Sequence, residues 1–136
     1  MRRTLFLALF VFGLAAPALA QDAVKVDPQH YKVESENNRV RILRVKYGPG
    51  EKSVMHRHPA TIAVFLTDGK VKFTYPNGKS EEIEFKAGQT VWRPATKHLP
   101  ENIGNQEMEV IVIELKTRKP PPKKPTETGT TTPKNP

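Results

Sequence analysis

Apolar and polar residues alternate with a period of two along most of the chain, the period of strands rather than helices. Val40 to Val45 alternates basic and aliphatic side chains, and Gly48-Pro49-Gly50 then breaks the run. Thr61 to Thr67 is continuously apolar, the pattern of a strand buried on both faces. Asp68-Gly69 carries a hairpin-turn signal. Val71, Phe73 and Tyr75 then alternate with Lys70, Lys72 and Thr74, and beyond Pro76-Asn77-Gly78 the pattern resumes with Ile83 and Phe85 against Glu82 and Glu84. Gly88 interrupts again, Thr90 to Arg93 reads as a short strand, and Met108 to Leu115 as a second buried run.

One hairpin can be resolved to its register. Pro76 suits the second position of a type I turn, because its φ is already set. Gly78 can follow in the left-handed conformation of a bulge, which gives a three-residue loop. Val71 then faces Ile83, Lys72 faces Glu82 and Lys70 faces Glu84: one face is apolar and the other pairs opposite charges. A two-residue Asn77-Gly78 loop would set Phe73 against Glu82 instead. Short strands with turn signals at near-regular spacing, and no amphipathic helical window, predict an all-β antiparallel sandwich or barrel.

The ends of the chain do not share this pattern. Arg2 and Arg3, the apolar stretch Leu5 to Leu14 and Ala18-Leu19-Ala20 form a secretory signal peptide over 1–20, with cleavage after Ala20, so the mature protein is expected in the periplasm or secreted. The apolar stretch is too short to span a bilayer, and no later segment is apolar enough. A 21–38 N-terminal arm leads into the barrel, 39–116. The segment 117–136 is rich in Pro, Lys and Thr and has no large apolar side chain, so it is expected to be disordered.

Charge follows the same division. The net charge of +8 sits mainly in the termini; residues 21–115 carry fourteen basic and thirteen acidic side chains. A domain so nearly balanced lacks the basic stripe of a nucleic-acid binder. The lysines of the tail suit contact with an anionic envelope surface, against the plainer reading of a solvated terminus. The absence of cysteine is silent about redox compartment.

Candidate chemistry begins at His56 and His58. Two apart on a strand, they project from one face. Buried imidazoles need partners, and a metal would serve both; the alternative is a pair of histidines that never held metal. His98, in Gly88-Gln-Thr-Val-Trp-Arg-Pro-Ala-Thr-Lys-His98, follows a strand directly and can point inward as a third. Three imidazoles suit Fe(II), Ni, Cu or Zn better than Ca or Mg. His30 reads as an exposed loop residue. Of Trp92 and Arg93, strand alternation allows one inward, and an inward Arg could bind an anionic substrate.

The spacing resembles the cupins. Their first motif runs G, five residues, H-x-H, three or four residues, E, six residues, G. Here Gly50 precedes His56 and His58, Ile62 falls at the acid, and Gly69 closes the motif. In the second motif Gly88, Pro94, His98 and Asn102 match, with Thr96 for a glycine and one residue missing before His98. The resemblance spans roughly residues 40–115. It implies a small double-stranded β-helix, a jelly-roll barrel, with metal inside, held by His56, His58 and His98, and with Ile62 where the family's glutamate stands. Some cupin dioxygenases work with three histidines, so Fe(II) is favoured, with Zn, Ni, Cu or Mn as other candidates. Ile62, Arg93, Glu101 and Asn102 are candidates to touch substrate or support the ligands, Glu101 from a loop after His98. The family commonly dimerises, which makes a homodimer the expected assembly. Three functions fit: an exported metal-dependent enzyme, possible as a dioxygenase, acting on a small molecule; a non-catalytic cupin that binds a small ligand without metal; or an envelope role carried by the tail.

Overall fold

The computed structural model describes residues 21–117. The expected signal peptide, and the expected tail beyond Thr117, lie outside the described residues. The expected arm opens with a short helix, α1 (Ala23–Val26), whose cap Asp22 accepts a hydrogen bond from the Val24 N–H. Nine strands follow among the described residues: β1 (Tyr31–Glu36), β2 (Val40–Tyr47), β3 (His56–His58), β4 (Thr61–Phe65), β5 (Gly69–Thr74), β6 (Ser80–Phe85), β7 (Thr90–Arg93), β8 (Thr96–Asn102) and β9 (Met108–Leu115). They form two antiparallel sheets, one in the order β1-β2-β9-β4-β7 and the other β3-β8-β5-β6. This is the expected all-β jelly-roll barrel, and the residues expected to form the arm contribute β1 to it.

Leu43, Val45, Phe65, Val71, Phe85, Met108 and Val110 form the buried core between the sheets. The β5–β6 hairpin has the expected register: Val71 faces Ile83, Lys72 faces Glu82 and Lys70 faces Glu84. Gly78 takes φ 78°, the left-handed conformation the three-residue loop requires. Among the described residues no helix is long and apolar enough to cross a membrane.

Three expectations are corrected. Asp68-Gly69 does not close a hairpin: β4 and β5 lie in different sheets, and this step carries the chain from one to the other. Gly69 is needed there for space, since a Cβ would fall 2.8 Å from the Phe85 ring. The run from Thr61 ends at Phe65 and is not sealed on both faces. Thr61 and Phe65 are buried, while Ile62 and Val64 are half-buried on the outer face. Finally, the segment after His98 is strand rather than loop. Its inward row is His98, Pro100 and Asn102, a poor strand pattern by composition that pairing with β3 and β5 holds in place.

Candidate metal centre

His56 and His58 occupy the two ends of β3 and turn inward, with Arg57 exposed between them. Across the β3–β8 pair His98 lies directly opposite His56. All three are buried, and one nitrogen from each lies within 4.8 Å of the others.

Hydrogen bonds on the far side of two rings fix their tautomers. His56 Nδ1 lies 2.8 Å from the carbonyl of Val54, and His58 Nδ1 lies 2.6 Å from Glu114 Oε1. Both partners are acceptors, so both Nδ1 atoms carry the proton and donate it. In the neutral form of each ring Nε2 is then a lone pair, and the two Nε2 atoms approach to 3.0 Å. Two acceptors cannot satisfy one another; the Tyr31 hydroxyl can donate to His56 Nε2, which leaves the lone pair of His58 Nε2 without a donor, and a buried acceptor in that state costs about 1–3 kcal/mol. His98 adds a buried Nδ1 with no hydrogen-bond partner. Burial, then the neighbouring His58, pushes His56 down to about 4. Burial and the charges of His58, His56 and Arg93 push His98 down to about 2. These rings are neutral at pH 7, so their lone pairs are available. Three converging buried imidazoles fit a transition-metal ion.

Two further elements reach the cluster, and sequence reasoning missed both. The Tyr31 hydroxyl, from β1, lies 3.0 Å from His56 Nε2 and accepts a hydrogen bond from Tyr47 at 2.9 Å. Glu114, from β9, is buried and bonded to His58 and to Arg41 Nε at 2.5 Å, and Arg41 continues to Asp22. Burial alone would raise the Glu114 carboxyl; the hydrogen bonds from His58 and Arg41 outweigh it and hold the group below its ordinary value. A signal existed: Glu114 shares the inward parity of Met108, Val110 and Val112 in a run otherwise read as apolar.

His58 and His98 border a cavity of about 100 Å³ inside the barrel, walled mainly by Val, Phe and Met side chains. That volume holds several waters or one small molecule. Phe73 stacks on His98 at 4.8 Å, and the Arg93 guanidinium sits over Phe73, also at 4.8 Å. Alternation is thereby settled: Arg93 faces the cavity and binds Glu81 at 3.0 Å, while Trp92 is 61% exposed.

The remaining candidates lie elsewhere. Ile62 is turned to the outer face, in a row with Ile42, Ile113 and Trp92 across four strands. Thr61, Ala63 and Phe65 line the cavity instead. Glu101 alternates out of the inward row of β8 and does not reach the histidines. Asn102 is fully buried but is a structural peg: its Nδ2 donates to the carbonyls of Tyr47, Gly48 and Gln106. His30 is buried, not exposed; its Nδ1 donates to Asp27 at 2.8 Å and its ring stacks on Tyr47 at 4.3 Å.

Residues 43–114 match the family profile described as a cupin domain. The chain belongs to the cupin family. Among solved structures, this cupin is similar to a cupin domain from Bordetella pertussis Tohama I. The two are 27% identical, with a TM-score of 0.60, over 64% of this chain and 92% of that one. It is also similar to an RmlC-like cupin from Methanocaldococcus jannaschii, at 19% identity and TM-score 0.50, over 65% and 83% of the two chains. A double-stranded β-helix protein from Klebsiella pneumoniae is 22% identical, with a TM-score of 0.50, over 62% and 75%. No curated protein matches this cupin. The cupin spacing permits three or four residues between the second histidine and the acid. Four residues place the acid's position at Ala63, which faces the cavity, and three place it at Ile62, which does not.

Proposed function

We propose that this cupin binds a divalent transition metal through His56, His58 and His98 and uses it on a small molecule held in the barrel. The observation that carries the reading is the 3.0 Å approach of two lone-pair nitrogens, His56 Nε2 and His58 Nε2. Burial keeps His56 neutral, so its Nε2 lone pair is open to a metal. A metal ion shared by both nitrogens turns the contact into an attraction. When bound, the metal would supply Lewis acidity and, as Fe(II), which we favour over Zn, Ni, Cu or Mn, the redox capacity for a dioxygenase-type reaction.

The chain's own residues define what could be held there. Apolar walls exclude water and suit an apolar body. Arg93 marks the wall where an anionic group would rest. A guanidinium presents five N–H donors, and Glu81 accepts from one of its nitrogens. The favoured molecule is therefore small and largely apolar, with a chelating group at the histidines and negative charge near Arg93. A metal-free ligand-binding role is the second reading, supported by Ala63, which offers no acid at the position facing the cavity. The signal-peptide pattern of residues 1–20 supports export as part of the proposal, and sequencing the N-terminus of protein from an exporting host tests it.

The deciding experiment is metal content. Protein from an exporting host is expected to carry near one equivalent of metal, and His56→Ala and His98→Ala are expected to lose it. Sub-stoichiometric metal, unchanged in both variants, overturns the reading in favour of the metal-free binder. Oxygen uptake with a panel of chelating acids then separates an oxygenase from a metal-loaded binder.

A further inference from the structure

We propose that Tyr31 is the fourth ligand of the centre, its phenolate oxygen standing in for the carboxylate that this chain lacks. The inference rests on the three-histidine reading and extends it to β1, an element outside both histidine motifs and outside the segment 43–114 that matches the family.

Geometry is the first ground. Metal–nitrogen and metal–oxygen bonds of about 2.0–2.1 Å separate neighbouring ligands on one ion by roughly 3.0–3.4 Å. The Tyr31 hydroxyl lies 3.0 Å from His56 Nε2, the same separation as His56 Nε2 from His58 Nε2. Tyr31 also lines the cavity, and its ring packs edge-on against His56 with centroids 4.9 Å apart.

Hydrogen-bond accounting is the second. Tyr47 donates to the Tyr31 oxygen, so the Tyr31 proton points to His56 Nε2. Once that nitrogen gives its lone pair to a metal, the phenol proton loses its acceptor. A Tyr31 that stayed protonated would keep a partner only by reversing its bond with Tyr47, whose own proton would then have to turn elsewhere. Ligation removes the conflict: the O–H bond breaks, its proton leaves to solvent, and the oxygen lone pair forms the bond to the metal. The Tyr47 hydroxyl goes on donating to that oxygen and supports its negative charge.

Charge is the third. An imidazole that gives its lone pair to a metal is a neutral ligand, so a dication held by three of them alone would keep both charges in a buried site. A phenolate offsets one of them, as the family's glutamate would.

The test uses the full chain loaded with Fe(III) or Cu(II), read by visible absorption. Wild-type protein is expected to show a phenolate-to-metal charge-transfer band. Tyr31→Phe is expected to lose it, and Tyr47→Phe to keep it. With Zn(II), Tyr31→Phe should bind at least about tenfold more weakly and release about one proton fewer per metal. Wild-type protein that binds metal without the band overturns Tyr31 ligation and leaves the three-histidine site standing. Because that reading is made on wild-type protein, poor folding of Tyr31→Phe does not blunt it. Protein that binds no metal overturns both.

Discussion

At the scale of single residues, the centre depends on groups that orient the histidines from behind. The Glu114 carboxylate holds the His58 proton on Nδ1 and so aims Nε2 at the cluster. Glu114→Gln keeps the size but can accept from His58 only by turning its amide N–H₂ toward Arg41, a donor facing a donor. Supporting partners of this kind are worth about 10–100-fold in metal affinity. Glu114→Gln is therefore expected to weaken Zn(II) binding by about that factor, measured by competition with a chromophoric chelator. Unchanged affinity would show that Glu114 serves the fold alone. His56, His58 and His98 were legible in the sequence because local spacing carries them. Tyr31, Glu114 and the burial of His30 were not, because each is brought to its place by an element far away along the chain. The inward parity of an acid in β9 was the one local trace.

At the scale of elements, alternation along a strand decides between adjacent residues that motif spacing leaves equal. On β4 the inward row is Thr61, Ala63 and Phe65, so a carboxylate added at 63 enters the cavity and one added at 62 joins Trp92 outside. Ala63→Glu is expected to tighten divalent metal binding by about tenfold or more, given the charge it adds beside a dication. Ile62→Glu is expected to leave affinity unchanged. Isothermal titration of both variants checks the pair, and tightening by Ile62→Glu would reverse the assignment. Strand content was well read where alternation was clean, as in the β5–β6 hairpin, whose register followed from one turn and four charges. It failed at Asp68-Gly69, where a turn signal cannot say which sheet the next strand will join. It failed again over β8, where pairing on both sides overrides a sequence with Pro100 and little aliphatic character.

At the scale of the whole molecule, the burial of His56 and His98 makes folding sensitive to acid. Free histidines titrate near 6.5, whereas in the fold His56 is held to about 4 and His98 to about 2. Between these values the unfolded chain binds protons that the folded chain does not, so stability rises with pH there. It is complete above about 6.5 and is lost as the pH falls toward 4 for His56 and toward 2 for His98. Each unit of displacement corresponds to about 1.4 kcal/mol, enough in total to matter to a small domain. Thermal melts of metal-free protein are expected to show a falling Tm below pH 6.5, and a flat profile down to pH 4.5 would contradict it. The short segment before α1 has a quieter consequence. β3 lies at the edge of its sheet, and edges of that kind invite a foreign strand to zip on. Here the Arg57 N–H is taken by the Gln21 carbonyl at 2.8 Å, and Asp22 bridges alongside. The strand that carries two of the three histidines thus presents a closed border, and crowded copies of the protein have no ladder there on which to aggregate.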